Sequence, residues 1–118
     1  MTNMKAQILQ YVKDRDRSSF AEFHREITGF KGELEMRING FENIVLWAQM
    51  SSDAIDALND LLNEQSLFMV PTPALTYLLD GGSLTYPVAK SARNYKSPRW
   101  LPVLFTDQRP KVTEKRSK

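Results

Sequence analysis

The chain has no cysteine. Disulfides, thiolate metal centres and a cysteine nucleophile are thereby excluded. Histidine is nearly absent too: His24 is the single one, and no Gly-x-Ser-x-Gly context accompanies it to suggest a serine nucleophile. It falls on the polar side of its helical stripe, as a surface histidine without a partner would. No stretch approaches the ~18 consecutive apolar residues of a transmembrane helix. At the N-terminus, Ile8, Leu9, Tyr11 and Val12 are interrupted by Gln10 and followed by charges, unlike a secretory leader. Asp80-Gly81-Gly82 lacks the lysine, the Ser/Thr and the following helix of a phosphate loop. Glu33, Glu35 and Glu42 lie close together but without the ligand spacing of a cation-binding loop, so a solvated face is expected. These gaps argue against an enzyme, a cofactor or a metal site, and the cytoplasm is the default location.

What the chain does have is an electrical split near residue 90. Residues 1–89 carry 7 Lys+Arg against 12 Asp+Glu, while residues 90–118 carry 9 against 2. The overall net charge of +2 conceals this asymmetry. A basic end on an acidic body points to an anionic partner, most often nucleic acid. With 118 residues, 42% hydrophobic and 25% charged, one globular domain is expected. The boundary is expected at 1–106 for the domain and 107–118 for a disordered basic tail, because beyond Asp107 only Val112 is apolar.

Periodicity supplies the elements. Met4, Ile8, Leu9, Tyr11 and Val12 predict an amphipathic helix over 4–14. Ser19 and Glu22 form a capping-box pair, and Phe20, Phe23 and Ile27 predict a second helix over 20–27, closed by Thr28-Gly29. Residues 31–38 read as a third short helix carrying Leu34 and Ile38, with Asn39-Gly40 as a turn. Asn43–Trp47 is a β-branched, apolar run that suits a buried strand. Ala54, Ile55, Leu58, Leu61 and Leu62 define one stripe of a helix over 52–64, capped by Ser51 or Ser52. Strands are expected at 67–70 and 75–79, joined through Pro71-Thr72-Pro73 as a hairpin, and an edge strand at 84–88. The run Trp100–Phe105 should pack back on the body.

This order, with Ser19-Phe20-Ala21-Glu22-Phe23 opening a helix, the Thr28-Gly29-Phe30 turn, and Leu58–Leu62 leading into the 67–79 hairpin, resembles the winged-helix group of helix-turn-helix folds over residues 4–80. Two features depart from that pattern: the strand at 43–47 comes later than the usual place after the first helix, and the region past the hairpin is long. The expected fold is α+β, a winged-helix-like domain with three to four helices and a β-hairpin, plus a basic C-terminal extension.

The resemblance implies a small nucleic-acid-binding regulator, with DNA as its usual partner, that sets a helix in the major groove. Helix 52–64 is poorly suited to that task, since its outer face holds Asp53, Asp56, Asn59, Asp60, Asn63 and Glu64. Phosphate contacts are therefore expected from Lys90, Arg93, Lys96, Arg99 and the tail, with Tyr95 available to stack on a base. The alternative is a protein-interaction adaptor that meets a basic partner through Asp53, Asp56 and Asp60.

Overall fold

Helix α1 spans Met4–Arg15 and is capped by Asn3, whose side-chain oxygen accepts from the Ala6 amide at 2.8 Å. It buries Ile8 and Val12 and leaves Lys13 and Asp14 outside. Asp16, at φ 74°, breaks the helix and redirects the chain into a short strand, β1, at Arg17–Ser19. Ser19 closes β1 and opens α2 (Phe20–Glu26) with the expected reciprocal pair: the Glu22 amide donates to Ser19 Oγ at 3.1 Å, and the Ser19 amide donates to Glu22 Oε1 at 2.8 Å. Phe20, Phe23 and Ile27 are buried as the stripe requires. The computed structural model describes residues 3–38, 40–80, 82 and 84–109.

The segment expected as a third helix is instead a strand, β2, over Lys31–Ile38, and it forms an irregular antiparallel hairpin with β3 (Phe41–Met50). Leu34 and Ile38 mimic a helical face by spacing, yet Leu34 is largely exposed and Met36, between them, is the buried residue. The strand at 43–47 is present inside β3, longer at both ends. Its centre, Ile44–Trp47, is buried without alternation because both faces are covered. The hairpin base is tight. A Cβ on Gly32 would lie 2.5 Å from both the Met50 carbonyl oxygen and Ser51 Cα, closer than carbon atoms approach.

Ser51 caps α3 (Ser52–Asn63), accepting from the Ala54 amide at 3.1 Å. Ala54, Ala57, Leu58 and Leu61 are buried. Strand β4 (Phe68–Pro71) follows, but the expected hairpin over 67–79 does not form. Residues 75–79 are helical, within α4 (Ala74–Asp80). Pro73 stands just before that helix, where its fixed φ helps, and the Thr76 amide donates to its carbonyl at 3.0 Å. The ladder partner of β4 comes from the far end of the chain: β6 (Val103–Thr106) pairs antiparallel with both β4 and β1, giving the order β1-β6-β4. A second sheet has the order β2-β3-β5, with β5 at Arg99–Trp100 parallel to β3. The edge strand expected at 84–88 is also absent; only Val88 makes an isolated bridge, to Trp100. Proline at 87 has no amide to extend it.

Among the described residues the domain is thus α+β, with four helices and two small sheets. The aromatic centre joins them. Phe20 stacks on Trp47 at 5.8 Å and meets Phe105 edge-on at 5.0 Å. Tyr77 lies 5.3 Å from both Trp47 and Trp100 and is fully buried. Its hydroxyl donates to the Val103 carbonyl at 2.5 Å and accepts from the Phe20 amide at 3.0 Å, tying α4 to α2 and β6. Trp100 packs in this core, with 2% of its surface exposed. Of the tail, Arg109 donates to Gln65 and sets its guanidinium 5.0 Å from the Phe68 ring. Residues 110–118, where most of the expected disorder falls, lie outside the described residues. No helix among the described residues is long and apolar enough to cross a membrane.

Candidate nucleic-acid interface

The basic segment is a loop with closed ends. At its base the Trp100 amide donates to the Pro87 carbonyl at 2.8 Å, and the Ala89 amide donates to the Trp100 carbonyl at 2.7 Å. Trp100 is anchored in the core, and Ile44 and Val45 of β3 face Arg99 and Trp100 in register. The apolar run that follows the loop thus fixes where it emerges.

Tyr95 organises the interior of the loop. Its hydroxyl accepts from the Lys90 and Ser91 amides at 3.1 and 3.4 Å and donates to the Ser91 carbonyl at 3.1 Å. Asn43 of β3 donates through Nδ2 to the Tyr95 carbonyl at 2.8 Å, docking the loop on the sheet. The guanidinium groups of Arg93 and Arg99 sit 5.1 and 4.9 Å from the Tyr95 ring centre, within cation–π range. Burial pushes the Tyr95 phenol up, but the Arg93 guanidinium and the Ser91 and Lys90 backbone groups outweigh it and hold it below its ordinary value. With two guanidinium groups already against the ring, a base stacking there has to compete with them.

Lys90, Arg93 and Lys96 are exposed and Arg99 is half-buried. None of the four has a carboxylate within 4.0 Å among the described residues. The ion pairs that do form there lie elsewhere: Lys5 with Glu64, Arg25 with Glu26, and Arg37 with Glu35. The loop therefore carries three exposed cations and the half-buried Arg99, none of them directly neutralised by a carboxylate among the described residues. Beside it, Arg37, Ile38, Gly40, Glu42 and Asn94 line a depression of about 480 Å³. Arg37 is held there by its bonds to Glu35 and to the Glu42 carbonyl. Nothing in the spacing of Asn43 marks it in the sequence, because it reaches the loop only through the tertiary fold.

Asp53, Asp56 and Asp60 are all exposed on α3, together with Asn59, Asn63 and Glu64. The buried face of that helix is used up against the core, so the acidic face is the one left to meet a partner. Comparison with protein-family models, with curated proteins and with solved structures finds no match to this chain.

Proposed function

We propose that this protein is a non-enzymatic, nucleic-acid-binding domain of winged-helix type that contacts phosphates through the loop 90–99, not through a recognition helix. The strand order supports the reading. A strand, β1, occupies the position after the first helix where the winged-helix pattern has one, and it belongs to the antiparallel sheet β1-β6-β4. The wing of that fold is the connection between the last two strands of such a sheet. Here the connection between β4 and β6 carries the basic loop. The β2-β3 hairpin is an insertion in the turn between α2 and α3, pinned where it leaves and returns: the Ser51 amide donates to the Phe30 carbonyl at 2.8 Å, and Ser51 Oγ to the Gly29 carbonyl at 2.7 Å.

The observation that carries the proposal is the set of four cations at 90, 93, 96 and 99 held on a docked loop with no carboxylate within 4.0 Å of them among the described residues. Each phosphate contact releases condensed counterions, so affinity falls with salt, with a log–log slope of about −0.9 per contact on duplex. Replacing Lys90, Arg93, Lys96 and Arg99 together by alanine should flatten the slope by about 3 to 4 units on generic duplex DNA. Fluorescence anisotropy at several salt concentrations measures it. Absence of binding at low salt would sink the reading.

A second reading rests on α3. Its exposed Asp53, Asp56 and Asp60 suit a basic protein partner. Under it, Asp56→Lys with Asp60→Lys abolishes capture of that partner. Under the first, the same change leaves nucleic-acid affinity equal or higher, by removing charges that repel phosphate.

A further inference from the structure

A cavity of about 420 Å³ opens between α2, the β2-β3 hairpin, Gly82 and the chain at 84–86, and its walls include His24, Glu35, Trp47, Ala48, Gly82 and Tyr86. The volume lies in the lower half of the range of small-molecule sites, ~300–1,000 Å³. Three of these walls are flat rings. Gly82 comes close enough to Trp47 that a Cβ there would touch the indole at 3.6 Å, so the inner wall is formed in part by bare backbone.

The polar groups are fixed but not saturated. Tyr86 donates to Glu35 Oε2 at 2.6 Å, while Arg37 donates to Glu35 Oε1 through Nη2 at 2.7 Å and Nε at 3.2 Å. A carboxylate has about four acceptor sites, so one remains. The Tyr86 hydroxyl and the Arg37 guanidinium hold the Glu35 carboxyl below its ordinary value, which keeps that acceptor ionised. His24 and Trp47 meet edge-on at 6.5 Å, and His24 Nδ1 and Trp47 Nε1 are both buried without a hydrogen-bond partner. Both atoms are shut off from solvent, so the imidazole nitrogen left to meet a ligand is His24 Nε2. Arg37 offsets the charge of Glu35, so the site as a whole does not demand a cation.

A neutral flat ligand complementary to these walls needs a donor for Glu35 and, on the same cavity, a hydrogen-bond partner for the His24 imidazole. That is the edge of an amino-substituted nitrogen heterocycle, as in adenine or cytosine. We propose that the cavity binds a nucleobase of the amino type, with Glu35 accepting from the exocyclic amine and the His24 imidazole pairing with the adjacent ring nitrogen. The base comes either as a free nucleoside or as an unpaired base in a strand. The second source suits the layout, since the chain walling the cavity at Leu84–Tyr86 runs on into the basic loop. The cavity proposal stands independently of the phosphate contacts proposed for that loop.

The test titrates the full chain with adenosine, cytidine and uridine, followed by tryptophan fluorescence and by calorimetry. Adenosine or cytidine should bind at least about tenfold tighter than uridine, which lacks the amine. Glu35→Gln should erase that preference. Ala48→Leu should fill the space and abolish binding, and the urea midpoint of each variant checks its fold. The alanine replacement of the four loop cations should leave nucleoside binding unchanged, which separates failure here from failure of the phosphate reading. A parallel arm uses single-stranded oligo(dA), oligo(dC) and oligo(dT). A preference for dA or dC that Glu35→Gln removes, with no binding of free nucleosides to about 10 mM, assigns the base to a strand. No discrimination in either arm, or discrimination that survives both Glu35→Gln and Ala48→Leu, overturns the proposal.

Discussion

Replacing Tyr77 by phenylalanine removes one oxygen atom from the fully buried centre of the domain. That oxygen receives the Phe20 amide and serves the Val103 carbonyl. Neither group has an evident substitute. Phe20 opens α2, so its amide has no intrahelical acceptor, and the Ser19 side chain accepts from Glu22 instead. Val103 faces Pro71 in the β4-β6 register, and proline has no amide to offer. Each buried group left unsatisfied costs about 1–3 kcal/mol. Together they predict a loss of roughly 2–4 kcal/mol, partly relieved by small shifts of α4. For a domain of this size that lowers Tm by roughly 6–16 °C. Urea unfolding followed by both circular dichroism and tryptophan fluorescence reads the change, and the slope m should stay constant while the midpoint falls. Tyr77→Leu should cost more, because it also forfeits ring contacts with Trp47 and Trp100. A loss below about 0.5 kcal/mol for the phenylalanine variant, less than one ordinary hydrogen bond, would refute the assignment of Tyr77 as the clamp between α4, α2 and β6.

Leu58, fully buried at the middle of α3, should lose about 2–5 kcal/mol on replacement by alanine, measured by denaturant unfolding. Gly32→Ala should be at least as severe as a typical core substitution, since its Cβ meets backbone atoms of Met50 and Ser51 that cannot step aside; hydrogen exchange should show the base of the β2-β3 hairpin opening first. His24 has its pKa held below the ordinary value, by burial first and then by the Lys31 charge. The unfolded chain therefore takes up a proton at His24 before the folded one as pH falls, so this contribution to stability is present above about 6.5 and is lost progressively below it. Urea midpoints at pH 7.5 and 5.5 should fall further apart in the parent than in His24→Gln, and equal differences would show that the imidazole titrates as freely as in the unfolded chain.

Elements with a local cause were legible in the residues alone. The Ser19–Glu22 box, the Ser51 cap and the stripe on α3 are satisfied within a few residues of themselves, so their signals need no partner from afar. The apolar character of Trp100–Phe105 was equally plain. What the chain could not disclose locally is which strand that run would join. Residues 75–79 look as apolar as a strand, but the place beside β4 is taken by β6, brought back from the end of the chain. With that ladder filled, α4 forms after Pro73 and turns Tyr77 into the core. Residues 31–38 resolve as β2 because Met50 and Trp47 lie opposite them, a long-range pairing that outweighs the i, i+4 spacing of Leu34 and Ile38. The same division holds for function. The excess of positive charge near the C-terminal end was countable from the sequence. That Lys90, Arg93, Lys96 and Arg99 stand on a loop docked by Asn43, with no carboxylate among the described residues in direct contact, and that His24 turns toward Trp47 at the wall of a cavity, depends on which distant residues the sheets bring side by side.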